Sequence, residues 1–109
     1  MFVAICIAEI SIPESGSLKD KRRVVRSLKD QVRRDFNVSI AEVEQNENHT
    51  LAVLGITSIC NDPLYLEGQI KHLEEKIDLL SGGMLAWFEH TIERHEPRED
   101  WTAGEGRKL

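Results

Sequence analysis

The stretch SLKDKRRVVRSLKDQVRRDFNVSIAEV, residues 17–43, changes its apolar spacing from the period of a helix to that of a strand. Ser17 is a good N-cap, and Asp20 stands at the third helical position, as in a capping box. At 100° per residue one stripe of the helix is apolar, with Val24 at its margin; the stripe contains Leu18, Val25, Leu28, Val32 and Phe36. Asn37 marks the end of the helix, and residues 38–43 are predicted to form a strand.

The flanking segments extend this pattern to six elements. Residues 2–12 and 50–59 are rich in Val, Ile and Leu and predict strands, the second after the polar turn QNENH. Asp62 and Pro63 predict the start of a second helix, which Ser81-Gly82-Gly83 ends before a strand over residues 84–92. Its apolar positions are Leu66, Ile70, Leu73, Ile77 and Leu80.

The order β-α-β-β-α-β predicts an α+β, ferredoxin-like fold. Its antiparallel four-stranded sheet would have the order 4-1-3-2, with both helices on one face. Residues 1–95 are expected to form a single domain. The polar residues 96–109, which include Trp101, are expected to extend from it.

Three segments, SLKDKR, FNVSIAEV and LAVLGI, resemble the YlxP-like family of small bacterial proteins at these spacings. The resemblance covers approximately residues 2–95. It implies a ferredoxin-like fold and no established activity. Family genes often lie beside genes for translation initiation and ribosome maturation, so the resemblance also implies contact with RNA or the ribosome.

The charge of the chain is unevenly distributed. The net charge is −5, yet residues 17–35 hold eight of the fourteen Lys and Arg residues and three acids. This segment is therefore at +5, and the rest of the chain is at −10. The overall acidity argues against a general nucleic-acid coat protein but permits one local basic surface.

A ladder of cations lies beside the apolar stripe of the first helix. Its members follow one another at i,i+3 or i,i+4 steps and are Lys19, Arg22, Arg26, Lys29 and Arg33. Four such like-charge steps cost about 1–2 kcal/mol in total. Several of the cations also crowd the first turns, where the helix dipole favours anions. An external anion would resolve both problems, so the ladder is predicted to bind nucleic acid or another anion, with Ser17 and Lys21 forming a phosphate-sized site at the helix N-terminus.

The ladder also permits two interpretations that need no external anion. Charged runs on helices are commonly solvated faces. The cations could instead pair with acids elsewhere in the chain, for which Glu42 and Glu44 on the second strand are the nearest candidates.

The chain contains no recognisable catalytic constellation. Its four histidines and two cysteines lack metal-ligand spacing, and no phosphate-binding loop or nucleophile motif occurs. We therefore expect neither a catalytic residue, nor a metal, nor a cofactor. Cys60 precedes a helix N-terminus, where a thiol near His49 could be reactive, but an enzyme is the weakest class. The opening residues do not form a signal peptide and no membrane span is present, so a cytoplasmic location is expected.

Both central strands are apolar on both faces. Val3, Ile5 and Ile7 alternate with Phe2, Ala4, Cys6 and Ala8 in the first. Because two helices can cover only one face of the sheet, a homodimer through the free face is predicted; the alternative is a monomer whose free face consists largely of Ala, Cys and Gly.

The sequence as a whole is compatible with two functions. The first is a small RNA- or ribosome-associated binding protein, and the second is a homodimeric interaction or regulatory module that binds a partner or a small anion.

Overall fold

The computed structural model describes residues 1–96, and these form six regular elements. Their bounds are β1 Phe2–Ser11, α1 Leu18–Asp35, β2 Ser39–Glu44, β3 Leu51–Cys60, α2 Pro63–Leu80 and β4 Leu85–Arg94. Each predicted element is present, with ends that shift by one or two residues. From residue 97 onward the predicted C-terminal extension, including Trp101, lies outside the described residues.

The first helix begins at the predicted cap. The hydroxyl of Ser17 accepts a hydrogen bond of 3.1 Å from the Asp20 amide, and the Asp20 carboxylate accepts one of 3.1 Å from the Gly16 amide. These two bonds satisfy backbone donors that the first helical turn leaves free. The helix ends where the Phe36 amide donates to the Val32 carbonyl at 2.8 Å.

The second helix is amphipathic over its 18 residues and buries Leu66, Ile70, Leu73 and Ile77. Asp62 caps its start by accepting a hydrogen bond of 3.0 Å from the Leu64 amide. At its end Gly83 adopts a positive φ of 81°, which lets its amide donate to the Asp78 carbonyl at 2.8 Å. Neither described helix is apolar enough along its length to span a membrane.

The sheet has the predicted topology. Its order is β2-β3-β1-β4, which is 4-1-3-2 counted from the other edge. β1 lies at the centre and pairs antiparallel with both β3 and β4. A register shift between Glu42 and Glu44 lets β2 bend at the edge of the sheet.

The core lies between the helices and one face of the sheet. Small side chains on β1, namely Ala4, Cys6 and Ala8, are buried there and let the two helices approach closely. The opposite face therefore carries the larger alternating residues Ile5 and Ile7. The alternative of a free face consisting largely of Ala, Cys and Gly is wrong, because the strand phase turns Ala4, Cys6 and Ala8 toward the helices.

Candidate nucleic-acid interface

Five cationic side chains line an open groove on the solvent side of α1. We call this surface the basic groove; its cations are Lys19, Arg22, Arg23, Arg26 and Arg34. Ser27, Asp30 and Gln31 complete the lining, and all eight residues belong to α1, so the groove lies between the side chains of one helix. With one carboxylate among five cations, the lining has a net charge of +4.

The position of the groove follows from the orientation of α1. Val25, Leu28 and Val32 are buried against the sheet, so the residues on the far side of the helix point into solvent. At about 1.5 Å of rise per residue, Lys19 and Arg34 lie about 22 Å apart along the helix axis. The positive surface is therefore a stripe along the helix rather than a single point.

Most cations of the groove have no internal partner. Lys19, Arg22, Arg23 and Arg26 make no ion pair or side-chain hydrogen bond within residues 1–96. The guanidinium of Arg34 lies 4.0 Å from the Asp35 carboxylate, and both side chains are exposed. An exposed pair at that distance contributes little. Pairing with acids of residues 1–96 therefore does not neutralise the groove.

Only part of the predicted ladder lines the groove. Lys19, Arg22 and Arg26 lie together in the groove, whereas Lys29 and Arg33 do not line it. Arg33 turns toward β2, where its Nη2 donates to the Ile40 carbonyl at 2.9 Å, and its Nη1 lies 3.8 Å from the Asp30 carboxylate. Arg23 and Arg34, which were not predicted, complete the groove instead.

Lys21 is a structural residue, and its prediction as an anion ligand is wrong. It is only 1% exposed. Its ammonium donates to the carbonyl oxygens of Gln45, Asn48 and Leu51 at 2.7, 2.6 and 3.0 Å. It also lies 2.7 Å from Oε2 of Glu42, so no donor remains for an external anion.

The phosphate-sized site predicted at the start of α1 is not formed. The Ser17 hydroxyl caps the helix, and the Gly16 amide is bonded to the Asp20 carboxylate. The negative charge of that carboxylate also opposes the binding of a second anion at this end of the helix. The candidate interface is therefore the basic groove alone.

The β2–β3 turn is attached to the start of α1. Besides the Lys21 bonds, Nδ1 of His49 lies 2.8 Å from the Ser15 carbonyl, within hydrogen-bond distance. Gln45 within this turn has a positive φ of 58°. These contacts give His49 a structural role. His49 and Cys60 lie at opposite ends of β3, so they do not form a reactive pair.

The described residues hold no group of three or more side chains arranged to bind a metal ion. Cys6 is buried in the core, and burial raises the pKa of its thiol to about 11. The thiol therefore stays protonated at neutral pH. Cys60 is partly exposed, and its sulfur accepts a long hydrogen bond of 3.5 Å from the Asp62 amide.

Solved structures resemble this fold at low sequence identity. The de novo designed protein Foldit4 superposes with a TM-score of 0.50 at 15% identity, covering 87% of this chain and 98% of that one. An antibiotic biosynthesis monooxygenase also gives a TM-score of 0.50 at 15% identity, covering 89% of this chain and all of that one. Likeness at this level of identity shows the fold alone.

Sequence comparison identifies the family. The chain is 28% identical over 93 residues to the uncharacterized protein YlxP of Bacillus subtilis (strain 168), covering 85% of this chain and 91% of that protein. The model of the family described as "Protein of unknown function (DUF503)" matches residues 3–88. The predicted YlxP-like resemblance is therefore confirmed, and the chain belongs to the DUF503 family of proteins of unknown function.

Proposed function

We propose that this protein is a small RNA-binding protein that associates with RNA or the ribosome through the basic groove and acts by binding, without catalysing a reaction. The observation that supports this most strongly is the group of four groove cations that have no partner within residues 1–96, in a chain with a net charge of −5. The genomic setting implied by the YlxP-like resemblance points in the same direction.

The arrangement costs stability unless an anion binds. Like-charge neighbours at 19–22, 22–26, 19–23 and 23–26 each contribute roughly 0.2–0.5 kcal/mol of repulsion. Asp30 offsets part of this for Arg26, which stands four residues before it. Phosphates spaced along a strand would relieve all of these pairs together, and the planar guanidinium forks of Arg22, Arg23 and Arg26 suit phosphate oxygens.

The groove favours recognition of the backbone over recognition of bases. Its lining contains no aromatic side chain, so it offers no platform for base stacking. Trp87, an exposed aromatic residue, lies on the opposite side of the molecule on the free sheet face. We therefore expect binding that depends on the shape and charge of the RNA and only weakly on its sequence.

The test compares two double variants with equal change of charge. Arg22→Glu/Arg26→Glu reverses two groove cations. Lys71→Glu/Arg94→Glu reverses two exposed cations outside the groove. Filter binding at low salt with a hairpin RNA and a single-stranded RNA should show retention by the wild type and the second variant, and none by the first. Circular dichroism should show that all three proteins are folded.

Equal RNA retention by the wild type and Arg22→Glu/Arg26→Glu would overturn the proposal, as would the absence of any retention by the wild type. If the true ligand is a small anion, a different result is expected. Inorganic phosphate at millimolar concentration would then displace RNA far more strongly than chloride of equal ionic strength.

A further inference from the structure

The sheet face that points away from the helices is an exposed apolar surface. We call it the free sheet face; its large apolar side chains are Val3, Ile5, Ile7, Val43, Leu51, Val53, Ile59 and Trp87. Val53 is the most buried of them, at 7% exposed. Ile59 is 64% exposed, Trp87 55% and Ile5 42%. No element within residues 1–96 covers this surface.

Its size matches what a specific interface needs. The four strands contain 36 residues. At about 3.3 Å along and 4.8 Å across for each residue, they present roughly 570 Å² on one face. Two such faces in contact would bury about 1,100 Å², above the roughly 1,000 Å² expected of a specific interface.

The face has a protrusion at one end and a recess at the other. Ile59 stands out near the end of β3. About 20 Å away along the same strand, Val53 lies in a recess that Ile7, Val43 and Trp87 also line, with a volume of about 470 Å³. The rim of the recess carries Glu9, Glu44 and Glu89. A surface with both features can be complementary to itself.

We propose that two copies of this chain pack through their free sheet faces about a two-fold axis that crosses the strands between the Ile5–Thr57 and Ile7–Gly55 pairs. The Ile59–Val3–Glu93 row of each copy then lies over the Val53–Glu9–Trp87 row of the other. Ile59 enters the recess beside the partner's Trp87. The two sheets pack about 10 Å apart with their strands nearly aligned.

The charges of the face agree with this symmetry. Its ionised side chains are Glu9, Glu44, Glu89 and Glu93, and no Lys or Arg of residues 1–96 lies on it. In the proposed arrangement Glu93 opposes the partner's Trp87 and Glu9 opposes the partner's Val3, so no carboxylate faces another directly. The same acidic residues repel RNA, which leaves the basic grooves as the RNA contacts on the two outer sides of the dimer.

The experiment is sedimentation equilibrium of the full chain from 1 to 100 µM. The wild type should be a dimer at the upper end of this range. Ile59→Glu and Ile5→Glu should each raise the dissociation constant at least 100-fold, because they place a carboxylate in the apolar contact. Leu64→Glu, at a 74% exposed position on α2, should leave the constant unchanged. Raising the salt from 50 to 500 mM should strengthen the dimer by screening the acids, whereas it should weaken RNA binding.

A wild type that stays monomeric at 100 µM at both salt concentrations would overturn the proposal. A dimer that survives both isoleucine substitutions would overturn it as well. If Ile59→Glu does not fold, Ile59→Thr serves instead and should raise the dissociation constant about tenfold. RNA retention by folded monomeric variants tests the basic groove separately, so either proposal can fail alone.

Discussion

The ammonium of Lys21 lies 2.7 Å from Oε2 of Glu42 and joins α1 to the edge strand β2 inside the protein. Its hydrogens point to three backbone carbonyls of the β2–β3 turn and the start of β3, while Glu42 supplies the compensating charge. Oε2 accepts no directed hydrogen bond from the described residues, so its contact with Lys21 is electrostatic. The most basic segment of the chain thus contributes one cation to the interior and several to the surface.

Replacing Lys21 with Met should destabilise the protein by about 3–5 kcal/mol, because the change keeps the aliphatic stem but leaves the Glu42 carboxylate and three carbonyls without their donor. The free energy of unfolding from urea titration measures this loss. Lys29→Met is the matched control. It removes a cation from the same helix that has no partner within residues 1–96, and it should change stability by no more than about 0.5 kcal/mol. Equal stability of the two variants would contradict the structural role of Lys21.

The elements were predictable because apolar spacing and capping residues agree along the chain. The structural role of Lys21 follows from its position on the helix and not from its charge. At 100° per residue it lies about 40° from Val25, between Leu28 and Val32, in the middle of the apolar stripe. A lysine at such a position has to find acceptors in the interior, and the polar β2–β3 turn with Glu42 supplies them.

The division of the ladder could not be predicted from helical spacing. Arg33 and Arg26 are both members of the ladder on a helical wheel, yet Arg33 reaches a carbonyl of β2 and Arg26 reaches solvent. The difference depends on which backbone carbonyls the neighbouring strand leaves within reach, and that is a property of tertiary packing. The contacts of long Lys and Arg side chains on a helix surface can therefore be assigned only from the structure.

Gly55 should not tolerate a side chain while Val43 is present. A Cβ on Gly55 would lie 2.8 Å from Cγ1 of Val43, closer than carbon atoms approach one another. Gly55→Ala should therefore destabilise the protein by about 1–3 kcal/mol. Val43→Ala should recover much of this loss in the double variant, giving a coupling of at least about 0.5 kcal/mol in a double-mutant cycle. Additive effects of the two substitutions would argue against this contact.

The two cysteines should differ sharply in reactivity. Because burial raises the pKa of Cys6 to about 11, its reactive thiolate is scarce in the folded protein until the pH approaches that value. Iodoacetamide at pH 8 should modify only the partly exposed Cys60 in the native protein, and both thiols in 6 M guanidinium chloride. Peptide mapping by mass spectrometry identifies the modified residue. Rapid native modification of Cys6 would show that the sheet–helix core opens more readily than the packing indicates.

Arg33 and Arg34 are neighbours in the chain with opposite expected roles, and they give the strictest test of the basic groove. If all five groove cations contact phosphates of one RNA strand, the slope of log K against log salt should be about −3.5. Arg34→Gln removes one groove cation, so it should reduce the slope by about 0.7 and leave stability nearly unchanged. Arg33→Gln removes the bond to the Ile40 carbonyl, so it should lower stability by about 1 kcal/mol and leave the slope unchanged. Salt titrations of RNA binding together with urea unfolding separate the two effects. A slope that falls with Arg33→Gln and stays constant with Arg34→Gln would place the RNA on the β2 side of the helix instead of in the groove.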